Sequence, residues 1–259
     1  MFATIWNLIL IAPILNLLVV LYHLTGSLGW SIILLTILIR AALIPVLIPS
    51  MNAIKKQRDI QPELAKLREK YKYDQKRLAA EQMELFKKHG INPASGCLSQ
   101  VVMIFVLIAL FTVIQLFSVK TDVSAINSKI IFEGMKLASD AKISTTFGYL
   151  NLAKTDPYLV LALLSGVLQY VASKMMIPYV EKAEKAAEKT PPKTDEIAMQ
   201  MQQQSLYMMP IMNVVIGIAL PSGVLLYIVI TTIFTIIQNY LSMGWGGMTP
   251  IIKRLSSRR

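Results

Sequence analysis

The chain has 259 residues, 54% hydrophobic and 16% charged, with a net charge of +11 and a mean hydropathy of +0.54. That balance excludes an ordinary soluble domain and points to a membrane protein. One cysteine, Cys97, and two histidines, His23 and His89, exclude an internal disulfide and leave too few ligands for any common zinc site.

No phosphate-binding glycine loop, no nucleophile elbow and no acidic pair inside an apolar segment appears, so no metal, no cofactor and no catalytic residue are expected.

The first predicted element, residues 2–24, is apolar but interrupted by Asn7, Pro13 and Asn16, and it lacks the basic leader region of a secretory signal. Hydropathy alone reads it as a span that starts inside. A helix lying on the outer surface is the alternative, and charge counting does not separate the two. Residues 30–49, 98–117 and 157–173 approach the about 20 apolar residues that a crossing helix needs. From Ile197 to Ile252 there is no charged residue, and Pro221-Ser222-Gly223 divides that stretch into two further spans, 206–220 and 222–243.

The basic residues orient these spans, because cytoplasmic loops attract Lys and Arg. Eleven lie in residues 51–92, five in 174–205 and four in the tail, against five in 118–156 and none in 1–29. The consistent solution places 51–92, 174–205 and the C-terminus in the cytoplasm and 118–156 outside.

Residues 51–92 read as two helices. After Pro62, which suits a first helical turn, Leu64, Leu67 and Tyr71 recur at i, i+3 and i+7. Asp74 is placed to cap a second helix in which Leu78 and Leu85 are a heptad apart, and Lys87-Lys88-His89-Gly90 reads as its end. The pattern predicts an antiparallel cytoplasmic hairpin; the plainer reading is a solvated, charge-laced linker. Its net charge of +5 favours anionic lipid headgroups or ribosomal RNA. Residues 178–196 alternate charge sign around Pro191-Pro192 and read as a flexible connection, followed by a polar, uncharged stretch suited to a helix entering the headgroup layer.

Arg40 is the only charge inside a span, about 15 Å from either end of 30–49. An arginine at that depth costs about 2.5–3.5 kcal/mol or more, so lipid exposure is excluded. Either it snorkels or is neutralised by helix carbonyls and polar neighbours, or it makes a hydrated cavity electropositive and receives a negative charge from a client. No Asp or Glu in another span offers a permanent partner, which favours the second reading. Thr36 lies one turn away on the same face, and Thr112, Gln115, Gln169, Ser173, Thr231, Thr232 and Thr235 are candidates to line the same cavity; each alone is more often a helix–helix hydrogen bond.

Four strings, "GWSIILLTILIRAALIPV", "QPELAKLREKYKYDQKRLAAEQMELFKKHGINPASGCL", "TDPYLVLALLSGVLQYVASKMM" and "MMPIMNVVIGIALPSGVLLYIVITTIFTIIQNYL", follow in an order and topology that resemble the YidC/Oxa/Alb family of membrane protein insertases, in its short form without a large periplasmic domain. The resemblance implies an all-α polytopic fold with a five-helix transmembrane core, a hydrophilic groove, a cytoplasmic helical hairpin and an N-terminal interfacial helix. It divides the chain into an interfacial helix at 1–27, a first span at 28–50, the hairpin at 51–92, a second span at 93–118, an extracytoplasmic loop at 119–156, a third span at 157–177, a cytoplasmic loop at 178–205, a fourth span at 206–220, a fifth at 221–243 and a basic tail at 244–259. Arg40 falls on the family's groove arginine and Gln169 on a groove-facing glutamine, and the implied groove is lined by these with Thr36, Thr112, Gln115, Ser173, Tyr227 and Thr231. The chain departs from the family pattern at Ser99, Met103, Ile104 and Phe105 and at Ile228, which follows Tyr227 where an aromatic pair is common.

The function so implied is insertion and chaperoning of newly made membrane proteins, without covalent chemistry, in the bacterial cell membrane. Expected partners are nascent membrane proteins, the Sec translocon, the ribosome, the signal-recognition machinery and anionic lipids; nothing points to DNA. Two rival readings of Arg40 are a small transporter or anion channel using it as a binding charge, and an assembly factor in which it only holds subunits together.

Overall fold

The computed structural model describes residues 6–71, 73–92, 95–118, 126–127, 130, 136–137, 143–176 and 196–256. Most of the expected outer loop before residue 143, the connection at 177–195 and Arg258 and Arg259 of the basic tail lie outside the described residues.

Among the described residues the fold is all-α, apart from one pair of two-residue strands. Helix α1 covers Asn7–Thr25, opening on a π-helical turn over Asn7–Ile11; α2 covers Leu28–Asp59, α3 Gln61–Lys70, α4 Gln75–Lys88 and α5 Ser95–Ser118. Strands β1 (Thr146–Phe147) and β2 (Leu150–Asn151) pair antiparallel. Then come α6 (Val160–Met176), α7 (Glu196–Ala219), α8 (Ser222–Met243), a 3-10 turn at Gly246–Met248 and α9 (Thr249–Ser256). By length and composition α1, α2 and α8 are able to cross a membrane; the apolar stretches Val101–Phe117 of α5, Val160–Met176 and Leu206–Ala219 are shorter.

Helix α2 continues well past residue 50. Its 32 residues extend about 48 Å, against about 30 Å of hydrocarbon. Pro45 and Pro49 lie inside it and remove one backbone donor each; the "SMNAIKKQRD" that follows contains no further breaker, so the helix carries on to Asp59.

The chain forms two compact units. The first comprises Met1–Ile44, Gln100–Gly166 and Met212–Phe234. Its core follows helical periodicity. Ile11, Ile14, Leu15, Leu18 and Val19 of α1, Leu28, Ile32 and Leu35 of α2, and Val106, Ala109, Leu110, Val113, Ile114 and Phe117 of α5 are all buried. Gly29 is required where it stands, because a Cβ would overlap the Phe147 ring, which also meets Trp30 edge-on at 5.9 Å. A Cβ on Gly217 of α7 would come to 2.9 Å from Leu225 Cδ2 and 3.2 Å from the Ala162 Cβ, so this small pair lets α7 and α6 approach closely.

At one end of this unit the segment after β2 is stitched to the turn between α7 and α8. The Ser222 N–H and Oγ donate to the Lys154 carbonyl at 2.7 and 2.8 Å, and the Gly223 N–H to Leu152 at 3.0 Å. Asp156, 4% exposed, accepts from the N–H of Tyr158 at 3.1 Å and of Leu161 at 2.7 Å, capping the entry to α6.

The second unit comprises Pro45–Ser99, Val167–Ile211 and Thr235–Arg259. The predicted hairpin forms in it. Asp74 caps α4 by accepting the Arg77 N–H at 3.0 Å, and the chain leaves α4 through Gly90 at φ +62°, with the Ile91 N–H bonded to the Phe86 carbonyl. Ile60, Leu64 and Ile91 make a small core at its base with Leu85 and Phe86 packed against it. At the tip Tyr71 donates to Glu81 at 3.0 Å and lies under Lys70 and Arg77, 5.0 and 5.4 Å from its ring. In the same unit Arg58 donates to the Met243 carbonyl at 3.0 Å, tying the end of α2 to the end of α8.

Candidate functional site

The site is built around Arg40, carried by α2 in the first unit. Its residue is 7% exposed. The guanidinium stands 6.0 Å from the centroid of Phe234 on α8, a distance at which a cation is drawn to the ring face. Among the described residues no carboxylate is paired with it, and its Nε–H finds no acceptor. A fully ionised five-donor group is therefore held in a buried place with an aromatic face and no counter-charge.

Tyr227 and Thr231 stand on α8, two turns and one turn before Phe234, which places the three on one helical stripe. Tyr227 is 3% exposed and lies within electrostatic reach of Arg40. Thr36, one turn before Arg40 and 1% exposed, donates its hydroxyl to the Ile32 carbonyl at 2.6 Å. Its own helix thus satisfies it. Thr232 does the same, donating to Ile228 at 2.8 Å.

The other sequence-derived candidates separate. Thr112 donates to Ile108 at 2.9 Å within α5, and Gln115 lies exposed on that helix. Gln169 and Ser173 belong to the second unit, one turn apart on α6 and 3.5 Å from each other, half-buried. Beside them Lys174 Nζ reaches the Tyr170 hydroxyl at 3.3 Å, and the Tyr170 ring stacks on Tyr207 of α7 at 6.0 Å.

Phe234 is the residue that sequence reasoning missed. The available signal was its position seven residues after Tyr227 and three after Thr231. A phenylalanine inside an apolar helix gives no sign of standing beside a charge on another helix.

Comparison with known proteins completes the picture. Residues 20–246 match the 60Kd inner membrane protein family. The chain is similar to the membrane protein insertase YidC of Fusobacterium nucleatum subsp. nucleatum, 30% identical over 221 residues, which cover 85% of this chain and 88% of that protein. It is also similar to the membrane protein insertase MisCA of Bacillus subtilis, 31% identical over 244 residues, covering 92% of this chain and 79% of the relative. A longer relative, the membrane protein insertase YidC of Geobacter sulfurreducens, is 28% identical over 235 residues that make up 37% of its length. An all-α, apolar, multi-pass chain that matches over most of its length is a member of the 60Kd inner membrane protein family of membrane proteins.

Proposed function

We propose that this chain is a membrane protein insertase, acting without covalent chemistry on newly made membrane proteins in the cell membrane. The observation that carries the reading is a buried arginine with no carboxylate partner among the described residues in a chain whose relatives bear the name insertase. Nothing in the comparisons favours a transporter or channel.

In this reading Arg40 is the receiver for the short polar tail of a client, often carrying Asp or Glu. In surroundings less polar than water a carboxylate at contact distance gains several-fold more than it would in bulk solvent. Phe234 holds the guanidinium in place from one face. Tyr227 and Thr231 of the same unit offer hydroxyls toward the client's tail. The basic hairpin α3–α4 receives clients on the cytoplasmic side, and its charge, with that of the tail, suits anionic headgroups, the ribosome, the signal-recognition machinery and the Sec translocon. Burial of the client's apolar helix in lipid supplies the drive.

The test is insertion of two clients, one with an acidic tail and one with a neutral tail, into vesicles containing the wild type, Arg40→Lys or Arg40→Ala. Loss of one ion-pair interaction of 1–2 kcal/mol corresponds to about a tenfold fall for the acidic client with Arg40→Ala, with partial retention by Arg40→Lys and little change for the neutral client. Equal insertion of both clients by wild type and Arg40→Ala would overturn the receiver role; loss of the protein itself in Arg40→Ala and Arg40→Lys alike would make Arg40 a packing residue.

A further inference from the structure

We propose that α9, with the aromatic pair that precedes it, lies in the headgroup layer where α8 ends and anchors there on anionic phospholipid, Lys253 and Arg254 meeting the phosphates. The inference deepens the charge assignment made for the tail in the proposed function, on which it rests, by choosing one partner and the residues that meet it. Observations within the second unit carry it.

The exit from α8 is graded from apolar to charged. Ile237 and Leu241, 54% and 78% exposed, present bare apolar side chains, as a lipid-facing helix does. Tyr240 and Trp245, both exposed, then meet across the helix end with ring centroids 4.7 Å apart. Exposed Tyr and Trp rings belong at headgroup level, where the apolar body and the polar tip each find their own medium. Lys253 and Arg254 follow, both exposed. The order along the chain is hydrocarbon, interface and charged surface.

The backbone breaks at the same level. Gly244, at φ +67°, closes α8 with its N–H on the Tyr240 carbonyl at 2.9 Å, and Gly246, at φ +48°, opens the 3-10 turn that leads into α9. Met248, Ile251 and Ile252 then fall at i, i+3 and i+4, on one face, and Lys253 and Arg254 fall off it. A helix of eight residues is marginal by itself in water. At a lipid boundary its apolar stripe turns to the acyl chains and its cations to the phosphates, which stabilises it. The stripe also separates lipid from RNA as the partner: a nucleic acid would meet the cations and leave Ile251 in water.

Helix α2 adds charge at this level. Arg58 Nη1 donates to the Met243 carbonyl at 3.0 Å, a favourable place for a cation at a helix C-terminus. That bond brings the exposed Lys55 and Lys56, within one turn before Arg58, alongside the end of α8. Both helices thus present basic residues where a leaflet with anionic headgroups would lie, and each Lys or Arg near such a surface gains about fivefold in binding.

The test places a nitroxide label on Ile251→Cys in a Cys97→Ala background, in the full chain, reconstituted in nanodiscs of phosphatidylcholine with or without phosphatidylglycerol. Collisions of the label with oxygen, which concentrates in hydrocarbon, are compared with collisions with a water-soluble nickel chelate. Oxygen should dominate when phosphatidylglycerol is present. The docked-to-free ratio should fall about 25-fold, two charges at about fivefold each, when Lys253→Gln and Arg254→Gln are combined. Nickel dominating in both lipids would overturn the proposal, and nickel dominance relieved only by added ribosomes would assign the tail to RNA instead. Oxygen dominating equally in both lipids and in the double variant would overturn the role of the two cations. No client is present, so the outcome is separate from insertion: a chain that inserts clients with its tail undocked would leave the insertase reading standing and this one refuted.

Discussion

At the scale of single residues, two buried charges in the first unit are handled in opposite ways. Asp156 is fully used: both carboxylate oxygens accept backbone N–H groups, and the turn it holds contains Leu159 at φ +57°, a left-handed conformation that costs a branched side chain about 1–2 kcal/mol. Arg40 keeps its Nε–H without an acceptor among the described residues. The first is therefore a structural charge, and the second is the one the proposed function uses. Asp156→Ala is expected to lower stability by about 1–2 kcal/mol, since it removes a cap and leaves buried N–H groups unpaired, while Asp156→Asn keeps an acceptor and loses less. Thermal unfolding of the detergent-solubilised protein measures both, and an unchanged midpoint for Asp156→Ala would show that the turn holds without its cap.

Among the elements, the hairpin depends on a very small core. Ile60, Leu64 and Ile91 are the buried residues at its base, the pair between half-buried His89 and exposed Glu63 at 3.3 Å lies at the surface, and such pairs contribute about 0–1 kcal/mol. Leu64, 2% exposed, is thus the principal staple. Leu64→Ala is expected to cost about 2–4 kcal/mol locally, read as faster amide exchange across Gln61–Lys70 and Gln75–Lys88 with no change in α2 before Pro45. If exchange accelerates throughout the chain, the hairpin is not an independent folding element. Its helices were legible in the sequence because Asp74, Gly90 and the leucine spacing are local signals. That Ile60 and Ile91, thirty-one residues apart, close its base was not, because a contact between distant segments leaves no periodic trace.

At the scale of the whole molecule, two sets of positive charge should respond differently to salt. Raising ionic strength from about 0.1 to 1 M shortens the screening length from about 10 to about 3 Å, which silences exposed charges far more than buried ones. The preference for an acidic-tailed over a neutral-tailed client should accordingly persist at 1 M salt if Arg40 provides it. Loss of that preference in the salt series would assign it to the basic hairpin and tail.

The sequence by itself determined that the chain is an all-α membrane protein, where its apolar helices lie, that one arginine sits among them and that a basic hairpin follows. These properties are written in hydropathy, spacing and charge, each read over a few turns of chain. Only the tertiary structure decided which residues meet: it set Phe234 and Tyr227 beside Arg40 and left Gln115 exposed on α5. It also set Trp6 against Phe105. These contacts join helices far apart in the chain, and a meeting between distant segments leaves no periodic trace in hydropathy, spacing or charge.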